Sequence, residues 1–286
     1  MKKIVLTVAA LGILGGAPLM AQASPQGDLQ EFRDYFFKRF PGVAMNDFGN
    51  GIYAIDAGRR AEWEQMEEFP PYEAGVDVGK ELFGKPFANG KTYADCFKKG
   101  GIGIRQDYPY FDADTGQVKT LEAEINECRA KNGEQPLAWG KGDLAAISAY
   151  MAYTSRGNKI NVVIPNDQRA LDIYDRGKRH FYTKRGQLNF SCADCHVASS
   201  GMHVRANVLS PALGHVTHFP VYRKKWEAGG KGATGGFGTL HRRYGGCNEQ
   251  VRAKKFKAQS DEYVALEYFH TYMSNGIEVN APGVRQ

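Results

Sequence analysis

The sequence predicts a mainly α-helical protein made of two tandem copies of one small domain, with a prosthetic-group attachment motif in the second copy only. Three observations lead there: an internal repeat, helical periodicity behind matched cysteines, and the segment Cys192-Ala193-Asp194-Cys195-His196. Tyr93-Ala94-Asp95-Cys96-Phe97 lies over that segment and shares its Ala-Asp-Cys centre. Upstream, Asp77-Val78-Gly79-Lys80 with Phe83 matches Asp175-Arg176-Gly177-Lys178 with Phe181, and downstream both Cys128 to Gly157 and Cys247 to Gly276 span 29 positions. Such self-similarity is the mark of a duplicated unit.

In chain order, residues 1–23 read as a signal peptide: Lys2 and Lys3 precede an apolar run, and Ala21-Gln22-Ala23 before Ser24 is a small-x-small cleavage pattern. That run is too short to cross a bilayer, and no later stretch approaches about twenty apolar residues, so the expected product is exported without stable membrane insertion. Residues 24–72 form a lead in which Phe32, Tyr35, Phe36 and Phe40 recur at helical spacing, predicting an amphipathic helix over Leu29 to Phe40, halted by Pro41. The first domain is assigned to 73–160 and the second to 161–286, with Val162-Val163-Ile164-Pro165 interrupting the helical pattern between them. Asp143 opens one helix with the stripe Leu144, Ile147 and Met151, and Glu262 opens its counterpart with Leu266, Phe269 and Met273. Both end at a serine, a basic or amide residue and a glycine, Ser155-Arg156-Gly157 and Ser274-Asn275-Gly276. The glycine-rich run Gly229 to Gly238 lacks P-loop spacing and is expected to be a flexible loop beside the cofactor.

Two thiols three positions apart, followed at once by an imidazole, are the signature of covalent c-type haem attachment, with thioethers at Cys192 and Cys195 and His196 as proximal iron ligand. Half of a zinc site or a dithiol pair is the alternative, but no second Cys-x-x-Cys supplies further zinc ligands. The repeat unit therefore reads as a cytochrome c-like domain. Tyr93 and Phe97 replace an attachment cysteine and the ligand in the first copy, which is expected to be haem-free, leaving one covalently bound c-type haem per chain. Haem attachment and stable disulfides both point to the bacterial periplasm. The formal net charge is +6 and falls to +4 without the two leader lysines, a mild excess that does not call for nucleic acid and suits an anionic substrate or an acidic partner face.

Five cysteines less two for thioethers leave Cys96, Cys128 and Cys247. In the repeat, Cys96 takes the place of a haem-attaching cysteine and Cys128 that of Cys247, so both face one pocket and are expected to form a disulfide. Closing a loop of this length contributes roughly 3 to 4 kcal/mol. Cys247 is then the odd thiol, set in His241-Arg242-Arg243-Tyr244-Gly245-Gly246-Cys247, where the arginines lower a thiol pKa and attract anions and the glycines allow close approach to a large cofactor. Thiolate is a competent axial haem ligand; Met273, Met202 and His241 compete with it for the distal position.

Cys-x-x-Cys-His followed about fifty residues later by Arg-Arg-Tyr-Gly-Gly-Cys-Asn, on a duplicated cytochrome domain behind a signal peptide, resembles the SoxA subunits of the SoxAX cytochromes of bacterial thiosulfate oxidation. The resemblance extends over essentially the whole mature chain and is to the single-haem type. It implies that His196 and Cys247 are the axial ligands, that Cys247 is the catalytic, persulfide-bearing residue, and that Arg243 orients substrate. It further implies an L-cysteine S-thiosulfotransferase that joins the outer sulfur of thiosulfate to a cysteine of the carrier protein SoxYZ, with a SoxX cytochrome subunit as electron outlet. The rivals are a plain electron-transfer cytochrome with a Met or His distal ligand and a di-haem peroxidase-like enzyme, the latter weakened by the missing first attachment motif. The single motif predicts one haem increment in the intact mass of the mature protein; two increments would overturn the reading of the first domain.

Overall fold

The computed structural model describes residues 24–204, 206–229 and 232–285, so the expected signal peptide lies outside the described residues. Helix α1 (Pro25–Arg39) begins where Ser24 accepts a hydrogen bond from the Gly27 amide at 3.1 Å and Pro25 fits the first turn. It buries Leu29, Phe32 and Phe36, whereas Tyr35, expected on the same face, is exposed and donates its hydroxyl to Val197 O at 3.0 Å. Arg39 likewise reaches Ser200 O at 2.8 Å, and Asp28 receives Tyr174 Oη and Lys178 Nζ at 2.8 and 2.7 Å. The lead is thus fastened along the back of the Cys-x-x-Cys-His segment.

Helix α2 (Ala57–Glu68), capped by Asp56, leads to α3 (Glu73–Gly84). A hairpin of β1 (Tyr110–Asp112) and β2 (Gln117–Lys119) precedes α4 (Leu121–Lys131) and α5 (Gly142–Tyr153). Helix α6 (Gln168–Tyr182) follows the irregular stretch that contains Pro165. A short hairpin of β3 (His203–Val204) and β4 (Asn207–Val208) comes next, then β5 (Val221–Arg223), α7 (Lys224–Glu227) and β6 (Phe237–Gly238). Helices α8 (Leu240–Gln250) and α9 (Asp261–Tyr272) complete the helical part, and β7 (Gly283–Arg285) closes a three-stranded sheet in which the central β5 runs antiparallel to β6 and parallel to β7. The helices around Asp143 and Glu262 therefore stand where the periodicity placed them, and Gly157 and Gly276 both take φ +81° at their ends. None of the small strands was anticipated.

Two helix pairs dominate the packing, α3 with α5 and α6 with α9, and they touch in the same way. A Cβ on Gly79 would sit 2.1 Å from Ala146 O, and one on Gly177 would sit 2.0 Å from Ala265 O. Only hydrogen allows either backbone approach. The α3–α5 pair packs on Tyr93, Phe97, Leu121 and Ile125, with Cys96 and Cys128 joined as a disulfide at a Cα separation of 5.8 Å. The α6–α9 pair shares a larger core with α1, in which Phe181, Leu266, Phe269 and Met273 are buried. A third cluster, with Val76, Ala146, Tyr222 and Phe237, seats the β5–β6 strands on α3 and α5.

The glycine-rich run departs from expectation. Its Gly232–Thr234 turn packs on α3 and α5, and Phe237-Gly238 is strand, so these parts form a fixed bridge between the α3–α5 unit and the second. In an ordinary helix interior Gly177→Ala would gain about 1 kcal/mol. Here the collision with Ala265 O makes it an overpacking change, expected to lower stability by about 1–3 kcal/mol. A thermal melt showing an equal or higher midpoint would refute this account of the crossing.

Candidate active site

The attachment segment is built by a reciprocal cap. Ser191 donates its amide and hydroxyl to Asp194 Oδ2 at 2.8 and 2.9 Å and accepts the Asp194 amide at 3.0 Å, which turns Cys192 to His196 through a short π-helical bend. Thr92 and Asp95 form the same capping box ahead of Cys96. The Ser/Thr-x-x-Asp pattern was present in the sequence at both places and went unread.

His196 Nδ1 lies 2.9 Å from Ser210 O. A carbonyl only accepts, so Nδ1 carries the proton and Nε2 keeps its lone pair for the cavity. Cys192, Cys195, His196, Arg243 and Cys247 all line one cleft, partly open to solvent, whose other walls include Phe181, Phe190, Leu209, Phe219 and Leu266. Two free thiols on one wall, an imidazole with an available nitrogen and a facing thiol within an apolar cleft fit a c-type haem. Among the described residues no group of three or more His, Cys, Asp or Glu side chains is arranged to hold a metal ion by itself, so nothing favours the zinc alternative.

Helix α8 carries both Arg243 and Cys247, one turn apart, and the Arg243 guanidinium folds back along the helix so that Nη1 would lie 3.8 Å from a Cβ on Gly246. Burial pushes the Cys247 thiol up, but Arg243, His196 in its protonated form and Arg223 outweigh it and bring it down to about 7. Arg223, on β5, is brought down to about 10 by burial and by the like charge of Arg243; Lys225, on α7, is lowered by burial, Arg223 and Arg243. These two cations were missed by sequence reasoning because they stand on a strand and a short helix with no spacing relation to Cys247. Two further histidines on the cavity wall were missed too: burial keeps His215 well below its ordinary pKa and pushes His270 down to about 3, so both are neutral.

The rival distal ligands stand elsewhere. Met273 is buried in the α6–α9 core, and Met202 is on the surface with 56% of its area exposed. His241 Nδ1 accepts the Gln259 amide at 3.0 Å, and its Nε2 faces Glu267 Oε2 at 3.0 Å. The amide can only donate, so Nδ1 is occupied by protein, and His241 is not among the residues that line the cleft. Gly245 also corrects the expectation: a Cβ there would meet Lys255 and Tyr263 at ordinary contact distances, so this glycine does not face the cleft.

Fold and cleft together define a mainly helical, c-type cytochrome with an ionisable thiol opposite its histidine. The profile of the SoxA/TsdA cytochrome c domain matches residues 78–160. The chain is 53% identical over 283 residues, 99% of its length and 96% of the relative's, to an L-cysteine S-thiosulfotransferase subunit SoxA of Chlorobaculum thiosulfatiphilum. It is 50% identical to the SoxA subunit of Allochromatium vinosum over 96% of both chains. A chain of the crystal structure of SoxXA from P. pantotrophus superposes with a TM-score of 0.70 at 30% identity, covering 79% of this chain and 84% of that one. The chain belongs to the SoxA family. If Met273 is core alone, Met273→Leu should cost less than about 1.5 kcal/mol and leave the axial-ligand spectrum of the holoprotein unchanged; a changed spectrum would return Met273 to the ligand set.

Proposed function

We propose that this chain is the SoxA subunit of an L-cysteine S-thiosulfotransferase, conjugating thiosulfate to a cysteine of a SoxYZ-like carrier. The observation that carries the reading is the meeting of Cys247, His196 and Arg243 in one apolar cleft. The overall change is carrier thiol plus thiosulfate giving the S-thiosulfonate, one proton and two electrons. A c-type haem, held through Cys192 and Cys195, supplies the electron sink when bound. His196, oriented by Ser210 O, and Cys247 would hold its iron on this reading.

The chain's own residues then have distinct tasks. The Cys247 thiolate would join its sulfur to the outer sulfur of thiosulfate with loss of two electrons, which would leave by way of the bound cofactor to the partner cytochrome; the carrier thiolate then attacks that outer sulfur and takes the thiosulfate group, releasing the Cys247 thiolate in a redox-neutral exchange. Arg243 holds the sulfonate by charge-assisted hydrogen bonds. A SoxX-like partner, suggested by the likeness to SoxXA of P. pantotrophus, is the electron outlet. Periplasmic residence is supported by the attachment motif and the Cys96–Cys128 disulfide, and no helix among the described residues is long and apolar enough to cross a membrane.

The finer architecture is part of the proposal: a lead over 24–72, a haem-free cytochrome c-like domain over 73–160 and a haem-binding one over 161–286, carrying one haem between them. The paired capping boxes and the paired glycine crossings support it, as does a cytochrome c profile that falls on the first unit. In that unit Tyr93 and Phe97 fill the core beside the disulfide, in place of an attachment cysteine and a histidine.

Cys247→Ser keeps size and loses soft ligation and sulfur–sulfur chemistry. It should change the haem spectrum and abolish thiosulfate-dependent conjugation while the haem stays attached. Arg243→Ala should lower kcat/KM for thiosulfate roughly 10- to 100-fold, the worth of a lost charge-assisted contact of about 1.5–3 kcal/mol. A Cys247→Ser protein with native spectrum and activity would leave plain electron transfer as the better reading.

A further inference from the structure

The two sides of the cleft are joined by a buried hydrogen-bonded path. Tyr244, on the turn of α8 before Cys247, has its hydroxyl 3.1 Å from His270 Nδ1 on α9. On the other side of the same ring, His270 Nε2 lies 3.3 Å from Ala212 O. The carbonyl can only accept, so Nε2 bears the proton, Nδ1 is the acceptor and the Tyr244 hydroxyl donates. The directions along the path are thereby fixed. The path continues past Ala212, whose amide donates to His196 O at 2.9 Å, while two residues earlier Ser210 O takes the His196 Nδ1 proton at 2.9 Å. Tyr244 and His270 are almost wholly buried, and both stand on the cavity wall.

We propose that Tyr244 and His270 are positioning residues that tie the helix carrying Cys247 to the 210–212 loop holding His196, and so set the span across which the two ligands face each other. The inference rests on the reading that His196 and Cys247 are the axial pair. Cys247 has a double task on that reading, since it must stay within reach of iron and yet be available for sulfur–sulfur bond exchange. A tie between the two scaffolds decides how far the sulfur can move from the histidine. On this proposal the effect of the path is on ligand geometry and only through that on turnover. Glutamine can reproduce the link at position 270, because its amide has one acceptor and one donor about as far apart as the two ring nitrogens; leucine cannot.

The test uses the holoprotein with its cytochrome partner. Tyr244→Phe removes one hydroxyl and keeps the ring, His270→Leu removes both contacts, and His270→Gln is the rescue. Ferric electron paramagnetic resonance and visible spectra report the ratio of thiolate-ligated haem to haem that has lost the thiolate. Loss of one hydrogen bond of about 0.5–1.5 kcal/mol should shift that ratio roughly 2- to 13-fold toward loss in Tyr244→Phe. His270→Leu should do the same, His270→Gln should lie near wild type, and the Tyr244→Phe/His270→Leu pair should be no worse than the stronger single change. Native ligation ratios in a folded Tyr244→Phe protein, with only a lower melting temperature, would assign these residues to packing and overturn the proposal. Should His270→Leu fail to fold, Tyr244→Phe alone decides it. A wild-type spectrum without thiolate ligation would instead overturn the axial pair itself, and the proposed tie with it, a result separable from the first because it needs no variant.

Discussion

The structure depends on one constraint: His196 and Cys247, about fifty residues apart in sequence, must be presented to the same cleft from independent segments. Neither segment is fixed by its own secondary structure. The His196 side is a five-residue π-helical bend, which holds its shape through the Ser191–Asp194 cap and the Ser210 carbonyl. The Cys247 side is an eleven-residue helix, too short to be stable in water alone. It is held from behind by buried polar side chains, with His241 against Glu267 and Gln259, and Asn248 donating to Tyr263 Oη at 2.9 Å. The Gln259 and Asn248 contacts satisfy groups that would be costly to leave bare in the interior.

The α3–α5 unit has a structural task whatever its ancestry. Its helices form the floor on which Tyr222 and Phe237 are packed, and these flank Arg223 on the sheet next to the cleft. It also reaches α8 through polar groups: Thr120, the cap of α4, donates to the Gln259 side chain at 2.9 Å, and the Gln259 amide holds His241. The α3–α5 unit therefore helps to set the position of residues around the cleft. Deleting it would remove the floor of the β5–β6 strands and one support of α8 together.

What could be read from the sequence was local. A 3.6-residue period identified the helices at Asp143 and Glu262, a glycine marked their ends, and Cys-x-x-Cys-His carried its own chemistry in five consecutive residues. The cleft was only half legible, because its other components come from distant segments with no shared spacing. Arg223 arrives from a three-residue strand, too short for alternation to reveal, and His215 and His270 gain meaning only from the ring and carbonyl they meet. Ambiguity about the distal ligand had the same origin: Met273, at helical spacing with Leu266 and Phe269, satisfies a core pattern and a ligand pattern alike, and only its place in the α6–α9 core, away from the cleft lining, separates them. Gly245 misled for a related reason, since a glycine's tolerance of close approach does not say which neighbour approaches.

Charge at the cleft also follows from placement. Arg223 is almost fully buried and feels the like charge of Arg243, and Lys225 feels both. Like charges oppose one another, and burial raises the cost of each. An arrangement of this kind persists only where anions offset it. The Cys247 thiolate is one such anion, attracting Arg223 and Lys225 and being stabilised in turn by Arg243 and Arg223. A single thiolate offsets one unit of charge, and a dianionic substrate at the same place would offset two more. On the proposed function, the cations that bring the Cys247 thiol down would also draw in thiosulfate, so that activation of the sulfur and recognition of the substrate would rest on the same side chains.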